Sequence, residues 1–276
     1  MDNIKLYACY HKQTRILKND IVYPIQVGKQ LSNIKLDMQG DNTGDNISEK
    51  NPFYNELAGT YWVWKNVKAD IVGVFHYRRY LNFINRDTKE YYLTDNILSK
   101  YGICKNQIKN IMGNCDIIVP QKTKKTKVSI YEYYKKEHII NDLDVVIDIV
   151  KKMYPSKVGL INTYFYHNSQ MYVGNILISK KEIFDIYAKW LFDILFEVEK
   201  QIQNGVSLRN DYQQRVYGFL AERLTGLFLQ LNPQYAVKEV PMLFILEDAK
   251  KWKKYKMRRL RKKILNILTF GLFSKK

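Results

Sequence analysis

Charged and aromatic side chains follow directly on an apolar segment in the first third of the chain. The segment is Ile71-Val-Gly-Val-Phe75, and His76-Tyr-Arg-Arg-Tyr80 comes after it. Such an apolar run is typical of a buried strand, and ligands of α/β proteins bind beyond the carboxyl ends of strands. Arginine stays charged and pairs bidentately with phosphate oxygens, so Arg78 or Arg79 at this position indicates a phosphate ligand. For either arginine alone, a salt-bridged strand end is the alternative.

Other polar residues follow predicted strands or precede predicted helices, and we expect them at the same edge of one sheet. They are His11 and Lys12, the loop residues Asp41, Asp45 and Asn46, the pair His167 and Asn168, and Asn210 and Asp211 with Arg215. Each is weak evidence alone, because Asn210 or Asp211 could cap the following helix and structural histidines outnumber catalytic ones. The expectation that all of them lie at one edge of the sheet favours a ligand-binding site there.

Several enzyme classes are disfavoured by what the sequence does not contain. It has no Gly-x-Ser-x-Gly, no P-loop and no Gly-x-Gly-x-x-Gly, and its four histidines lack the short spacing of metal ligands. The three cysteines, Cys9, Cys104 and Cys115, are too far apart for a zinc or redox motif, and their odd number argues against a disulfide framework. We therefore expect a cytoplasmic protein, and no apolar run approaches the roughly 20 residues that span a bilayer.

The hydrophobic periodicity predicts alternating strands and helices. Strands are expected at Ile4–Tyr10, from Ile71 and at Asp116–Pro120, with a strand or a loop at Ile21–Val27 and a loop entering a strand at Tyr164–Ile178. Helices are expected from Pro52, over residues 129–153, at Glu182–Gln203 and at Asp211–Leu231. Helices that alternate with strands after short connections build an α/β fold with parallel strands.

The positive charge is concentrated at the carboxyl terminus. The net charge is +18, and residues 249–276 hold 12 of the 45 lysines and arginines and no acidic residue, which leaves +6 for residues 1–248. Trp252, Tyr255, Leu260 and Ile264 recur at helical spacing among the basic residues. The pattern predicts a basic amphipathic helix on an anionic membrane surface; a helix docked on the body or a nucleic-acid-binding arm are the alternatives.

Several segments together resemble a known bacterial family. They are Asp41-Asn-Thr-Gly-Asp-Asn-Ile-Ser48, Asn55-Glu-Leu57 with Tyr61-Trp-Val-Trp-Lys-Asn66, Gly73-Val-Phe-His-Tyr-Arg-Arg-Tyr-Leu81, Cys115-Asp-Ile-Ile-Val-Pro120 and Ala221-Glu-Arg-Leu-Thr-Gly226. In this order they are similar to the capsular-polysaccharide family named domain of unknown function 4422. The resemblance runs from about residue 4 to about residue 245 and leaves out the basic tail.

The resemblance implies a fold and an activity. The fold would be GT-A-like, a mixed and mostly parallel sheet flanked by helices, formed by residues 1–248 and followed by the amphipathic tail at 249–276. The activity would be glycosyl transfer in the synthesis of capsule, exopolysaccharide or O-antigen. The donor would be a nucleotide-diphosphate sugar, a UDP-hexose, and within that class we expect galactose in pyranose or furanose form. The acceptor would be a lipid-linked saccharide, and the protein would lie peripherally on the inner face of the cell membrane.

The resemblance also raises the question of a metal. GT-A enzymes usually carry an Asp-x-Asp at the end of a central strand, where it holds a divalent cation against the donor diphosphate. The corresponding strand end here is His76-Tyr-Arg-Arg79. Because arginines can also meet the charge that develops on the departing diphosphate, we expect no required cofactor. Mg²⁺ or Mn²⁺ stays possible, with Asp45 or Asp116 as a ligand.

The site hypothesis divides the polar residues by role. The residues expected to bind the donor and its diphosphate are His11, Lys12, Asp41, Asp45, Asn46, Glu56, Lys65, His76, Arg78 and Arg79. Those expected to bind the sugar and the acceptor are His167, Asn168, Asn175 and Arg215. Asp211 is the first choice for a general base and Glu222 the second, because a carboxylate must deprotonate the attacking hydroxyl.

Two other functions fit parts of the sequence. A nucleic-acid-binding protein would fit the pI near 9.5, although most of the excess charge lies in the tail. A non-catalytic carbohydrate-binding module would use the 22 tyrosines to stack on sugars. We expect a glycosyltransferase that does not bind nucleic acid.

Overall fold

The computed structural model describes residues 3–84, 90–92, 94, 96–124, 128–246, 253 and 257. The strands are β1 Ile4–Tyr10, β2 Val22–Gln26, β3 Gln39–Gly40, β4 Ile71–His76, β5 Arg79–Leu81, β6 Glu90–Tyr92, β7 Ile117–Pro120, β8 Thr123–Lys124, β9 Gln170–Met171, β10 Leu177–Lys180, β11 Val237–Val240 and β12 Met242–Leu246. The helices are α1 Asn51–Tyr54, α2 Leu57–Asn66, α3 Ile97–Lys100, α4 Lys105–Met112, α5 Ile130–Glu137, α6 Ile140–Met153, α7 Val158–Asn162, α8 Lys181–Val206 and α9 Val216–Leu231.

The main sheet has the strand order β11-β7-β10-β4-β1-β2-β3. Most neighbouring strands are parallel, whereas β10 runs antiparallel to both β4 and β7. A hairpin joins β4 to β5, β5 pairs with β12, and β12 also pairs with β6. Two short strands, β8 and β9, form a separate antiparallel pair.

Alternation along the central strands separates two apolar layers. In β1, Tyr7 and Cys9 face a layer built with α1, α2, α6, α8 and α9, while Leu6, Ala8 and Tyr10 face a layer built with α3, α4 and β12. Both faces of β4 are buried along its whole length. A strand covered on both faces reads as an unbroken apolar run, which explains the sequence Ile71–Phe75.

Three predicted helices differ from those in the structure. The helix from Pro52 is broken at Asn55, which has a φ of 53° and separates α1 from α2. Residues 129–153 form α5 and α6, with extended backbone at His138 and Ile139 between them. The last helix begins at Val216 rather than Asp211, after a short 3₁₀ turn. Apolar periodicity indicates which face of a segment is buried, but it does not show where the backbone departs from helical geometry, so it predicted longer continuous helices.

The segment from Tyr164 to Ile178 reaches its strand only at the end. Residues Thr163–His167 form a turn of π-helix, β9 follows, and β10 begins at Leu177. The predicted amphipathic tail at 249–276 lies outside the described residues except for Lys253 and Met257. Among the described helices, none is long and apolar enough to cross a membrane.

Gly59 lets α2 pack closely on β1. A Cβ at this position would lie 2.5 Å from Sγ of Cys9 and 3.0 Å from Cγ1 of Val27. Gly59→Ala should therefore lower the free energy of unfolding by about 1–3 kcal/mol, the usual cost of overpacking a core. Denaturant titration of the purified variant measures this loss.

The matched control is Gly205→Ala in α8, where no atom lies within 4 Å of the added Cβ. That variant should be stabilised by about 0.5–1 kcal/mol, because alanine is the better helix former. The double variant Cys9→Ala/Gly59→Ala removes the closest contact and should recover part of the loss. Equal stability of the Gly59→Ala and wild-type proteins would contradict the packing described.

Candidate functional site

A cleft of about 750 Å³ opens at the carboxyl ends of β1, β2 and β4. His11 follows β1, Gly28 follows β2, and His76 ends β4, so the cleft lies at the sheet edge where α/β proteins bind ligands. The α1–α2 break and the segment before α9 form the opposite wall. The polar residues that line the cleft are His11, Ser32, Asn51, Asn55, Glu56, His76, Arg78, Arg79, Asp211 and Arg215.

Three arginines supply the positive charge of this cleft. Arg78 is exposed and lies over the Tyr77 ring at 4.9 Å, and Arg79 is half-buried. Arg215 comes from the turn before α9, and its Nε donates a hydrogen bond to Oδ1 of Asn55 at 2.9 Å. The carboxylates on the same walls are Glu56 and Asp211. The cleft therefore carries more guanidinium than carboxylate charge and suits an anionic ligand.

Two histidines of the cleft have lowered pKa values; His76 is buried, whereas His11 keeps a solvent-accessible surface. Burial, together with the charges of Arg79 and Arg78, lowers the pKa of His76 to about 2. Burial also lowers the pKa of His11, with additional effects from Lys12, Arg78 and Arg215. The backbone N–H of Arg78 donates to Nδ1 of His76 at 3.3 Å. A neutral imidazole that accepts at Nδ1 carries its proton on Nε2, so His76 can donate a hydrogen bond without adding charge.

A buried carboxylate shapes the wall at Gly28. Asp41 accepts hydrogen bonds from the backbone N–H groups of Gly28 and Lys29 at 2.9 and 3.0 Å, and from Oγ of Ser48 at 2.6 Å. Gly28 has a φ of 66° and lies against Asn51, which also lines the cleft. Asp41 thus holds the 41–48 loop against the end of β2 rather than facing the cleft itself.

A smaller lobe of about 270 Å³ shares one wall with the cleft. Asn55, Glu56, Arg79 and Arg215 line both spaces. The remaining walls carry aromatic rings and a second carboxylate. Those residues are Tyr133, His138, Tyr212, Phe219, Phe244 and Glu222. Glu222 accepts from the Gly174 N–H at 2.6 Å and from Nη1 of the buried Arg223 at 3.1 Å, so both of its oxygens help to shape the lobe.

Glu56 lies on the wall between the two spaces, directly after Asn55. Its Oε1 accepts a hydrogen bond from Nδ2 of Asn175 at 3.0 Å, and the same nitrogen donates to the carbonyl of Gly218 at 3.1 Å. Asn175 has a φ of 49° and lies two residues before β10. The thiol of Cys9 lies 3.7 Å from the Glu56 carbonyl oxygen.

The structure separates several predicted site residues from this cleft. Asp45 accepts from the Tyr61 hydroxyl at 3.0 Å and lies 3.7 Å from Nζ of Lys65, and Asn46 bonds within its own loop. Lys65 lies over the Trp64 ring. None of the three predicted side chains Asp45, Asn46 and Lys65 lines the cleft or its lobe.

Four further predicted residues also lie apart from the cleft. Lys12 lies over the Tyr77 ring, His167 is exposed, and Asn168 lines a different cavity beside β9. Asp116 precedes β7, which runs parallel to β4, so it lies at the opposite sheet edge, where it pairs with Lys180 at 2.7 Å. His11, Glu56, His76, Arg78, Arg79, Asp211 and Arg215 do come together, and Asn175 and Glu222 lie beside them.

The residues at this cleft do not fit a divalent cation held as in an Asp-x-Asp site. Within the described ranges, no group of three or more His, Cys, Asp or Glu side chains is arranged to hold a metal ion. Arginines occupy the strand end where the aspartates would lie. We therefore derive no step through a metal.

Asn55 is a polar cleft residue to which the sequence analysis assigned no role, as are Ser32 and Asn51. It bonds Arg215 and lines both spaces. Its left-handed backbone interrupts an apolar stripe that continues into α2, so periodicity gave no sign of the break. The only signal was its residue type, because asparagine adopts a positive φ more readily than most residues.

Comparison with known proteins identifies the family. The model of the family described as Domain of unknown function (DUF4422) matches residues 5–233, which is most of the chain. The chain belongs to this family. The resemblance predicted from the sequence motifs is thereby confirmed at the level of the family. No curated protein matches this DUF4422 chain.

One solved structure extends the comparison to the fold. The apo structure of the WbbM bifunctional glycosyltransferase is similar to this DUF4422 protein, with a TM-score of 0.79 and 34% sequence identity. The similarity covers 88% of this chain and 45% of the WbbM chain, so this chain spans less than half of that relative's length. The predicted GT-A-like fold, a mixed and mostly parallel sheet flanked by helices, is confirmed for the described residues.

The low pKa of His76 predicts how stability depends on pH. The His76 imidazole takes up a proton near pH 6.5 in the unfolded chain but only near pH 2 in the folded chain. Its contribution to the free energy of unfolding is therefore fully present above pH 6.5 and is lost as the pH decreases. From pH 7.5 to pH 5, wild type should lose about 1–2 kcal/mol more than His76→Gln. Denaturant titration at each pH compares how steeply the free energy of unfolding depends on pH in the two proteins.

His167→Gln, at an exposed position, is the control and should keep the wild-type dependence on pH. The same pH dependence in His76→Gln and wild type would contradict the burial of a neutral imidazole.

Proposed function

We propose that this DUF4422 protein is a glycosyltransferase. It moves a hexose from a nucleotide-diphosphate sugar, UDP-linked, to a lipid-linked saccharide in capsule, exopolysaccharide or O-antigen synthesis. Galactose, in pyranose or furanose form, is the first sugar to test. The family, the likeness to the WbbM glycosyltransferase and the chemistry of the cleft support this proposal.

The observation that carries the proposal is the convergence of Arg78, Arg79 and Arg215 on a cleft at the carboxyl end of β4. Breaking the bond between the sugar and the diphosphate places negative charge on the leaving group. Fixed cations that meet this charge stabilise the transition state more than the ground state. Neutral His76 and His11 add hydrogen-bond donors at the same edge without competing for the anion.

The two connected spaces suit the two substrates. The larger cleft, about 750 Å³, has the size and charge for the donor nucleotide and its diphosphate. The smaller lobe is lined by aromatic rings, and Tyr212 and Phe244 keep 50% and 37% of their surface exposed. Aromatic faces stack on sugar rings, so we assign the acceptor saccharide to this lobe.

The proposal is tested with a panel of nucleotide sugars that includes UDP-galactose, with and without Mn²⁺. The true donor should raise the thermal stability, by about 2.7 kcal/mol at a hundredfold excess over its Kd, and should release UDP when an acceptor is present. Arg78→Ala or Arg79→Ala should weaken donor binding about 10–100-fold, since a hydrogen bond to a charged group contributes about 1.5–3 kcal/mol.

Lys200→Ala is the control, because Lys200 is an exposed cation on α8 that lines neither the cleft nor its lobe. It should bind the donor as wild type does. Wild-type donor affinity in both arginine variants would refute the diphosphate clamp. Failure of every nucleotide sugar to bind or react would refute the transferase.

We also propose that residues 249–276 hold the protein on an anionic membrane surface, on the inner face of the cell membrane, and that residues 1–248 form the transferase domain. The 12 basic residues of the tail and its interleaved aromatic and aliphatic residues support this. Lipid-linked acceptors are presented at such a surface. In this proposal the positive charge of the tail binds anionic lipids rather than nucleic acid.

Deletion of residues 249–276 should remove binding to vesicles that contain phosphatidylglycerol. Each basic residue near an anionic surface contributes on the order of 1 kcal/mol, so the full chain should sediment with these vesicles and be released as salt is raised. Neutral phosphatidylcholine vesicles are the control and should bind the full chain weakly. If the full and the shortened chains sediment equally with these vesicles, residues 249–276 are not the membrane-binding segment.

A further inference from the structure

We infer that Glu56 is the general base of the transfer reaction, an inference that rests on the proposed function. A general base must contact the acceptor hydroxyl while that hydroxyl approaches the anomeric carbon of the donor. Its carboxylate must therefore lie where donor and acceptor meet. In this molecule that place is the wall shared by the cleft and its lobe.

Among the described residues, Glu56 is the carboxylate that lines both spaces. Asp211 lines the cleft alone, and it is exposed on the segment before α9. Glu222 lines the lobe alone, and each of its carboxylate oxygens already accepts a hydrogen bond. The position of Glu56 thus matches the requirement that the two other candidates miss.

The contacts of Glu56 leave one oxygen for the substrate. Nδ2 of Asn175 donates to Oε1, and no other described residue forms a hydrogen bond with either oxygen of this carboxylate. Oε2 is therefore available to an acceptor hydroxyl. Asn175 can present only its amide nitrogen to Glu56, because its oxygen would repel the carboxylate. Its own Oδ1 is buried and has no partner among the described atoms, which is the cost of that orientation.

Backbone strain at two positions fixes this arrangement. Asn55 has a φ of 53° and Asn175 a φ of 49°, and these are the non-glycine residues of the described chain with positive φ. One immediately precedes Glu56 and the other holds its carboxylate. Such strain persists only where surrounding contacts enforce it, and it concentrates at active sites. The helix break at Asn55 is what turns Glu56 toward the shared wall.

The reaction step balances without a further reactant. The acceptor oxygen forms a bond to the anomeric carbon while its proton passes to Oε2 of Glu56. The bond from the anomeric carbon to the diphosphate oxygen breaks, and its electron pair leaves on the diphosphate beside the arginines. A single displacement of this kind inverts the configuration at the anomeric carbon.

The test compares Glu56→Gln with Asp211→Asn, Glu49→Gln and wild type, using the donor found in the panel. Glutamine keeps an oxygen for Asn175 but cannot take up the proton. Glu56→Gln should lower kcat about 10²–10⁴-fold, the usual contribution of a general base, while the Kd for the donor stays within about threefold of wild type. Glu49 is an exposed glutamate outside the cleft, so Glu49→Gln should keep the wild-type kcat.

The other outcomes contradict the assignment of Glu56 as the general base, and one of them also contradicts the proposed function. A Glu56→Gln variant with near wild-type kcat, a larger loss in Asp211→Asn, or a product with retained anomeric configuration overturns the assignment and leaves the transferase intact. A wild-type protein that transfers no sugar overturns both. Should Glu56→Gln fail to fold, Glu56→Asp replaces it, since it keeps the charge but withdraws the carboxylate by one methylene; an unchanged kcat in that variant also overturns the assignment.

Discussion

The cleft depends on the concentration of like charge at one sheet edge. Arg78, Arg79 and Arg215 face a space where Glu56 and Asp211 are the described carboxylates, and the pKa values of His11 and His76 are lowered by desolvation and by these arginines. Guanidinium groups that repel one another stay together only because the fold holds their backbones. The β4–β5 hairpin fixes two of them, and the bond from Asn55 fixes the third. A bound anion relieves this repulsion, so the cleft of the unliganded protein is preorganised to bind an anion.

The sequence predicted the strand-end part of this site for a definite reason. An apolar run covered on both faces must end at a sheet edge, and the residues after Phe75 could only lie there. The sequence did not reveal which loops close on that edge. Asp45 and Lys65 have the composition of ligand-binding residues, yet they bond with each other and with Tyr61. Residue type predicts the chemistry available, whereas tertiary contacts determine where it is used.

Strand direction explains why Asp116 lies away from the cleft and Asn175 lies beside it. A strand parallel to β4 carries its preceding residue to the edge opposite the cleft, which is where Asp116 lies before β7. Because β10 is antiparallel to β4, the segment before it arrives at the cleft edge instead, and Asn175, two residues before β10, lies there. Apolar runs of similar composition gave no indication of these opposite directions. Hydrophobic pattern therefore predicted the strands without predicting which end of each one faces the ligand.

The pairing of β12 with β5 limits how far the basic tail can lie from the aromatic lobe. Phe244 lies opposite Arg79 in this ladder and lines the lobe. Residue 249 is five positions further along the chain, so in any conformation it lies within about 18 Å of Phe244, the reach of a fully extended backbone. Under the proposed function, this chain length limits how far the first residue of a membrane-bound tail lies from the acceptor lobe, and with it how long a lipid-linked glycan must be to reach that lobe.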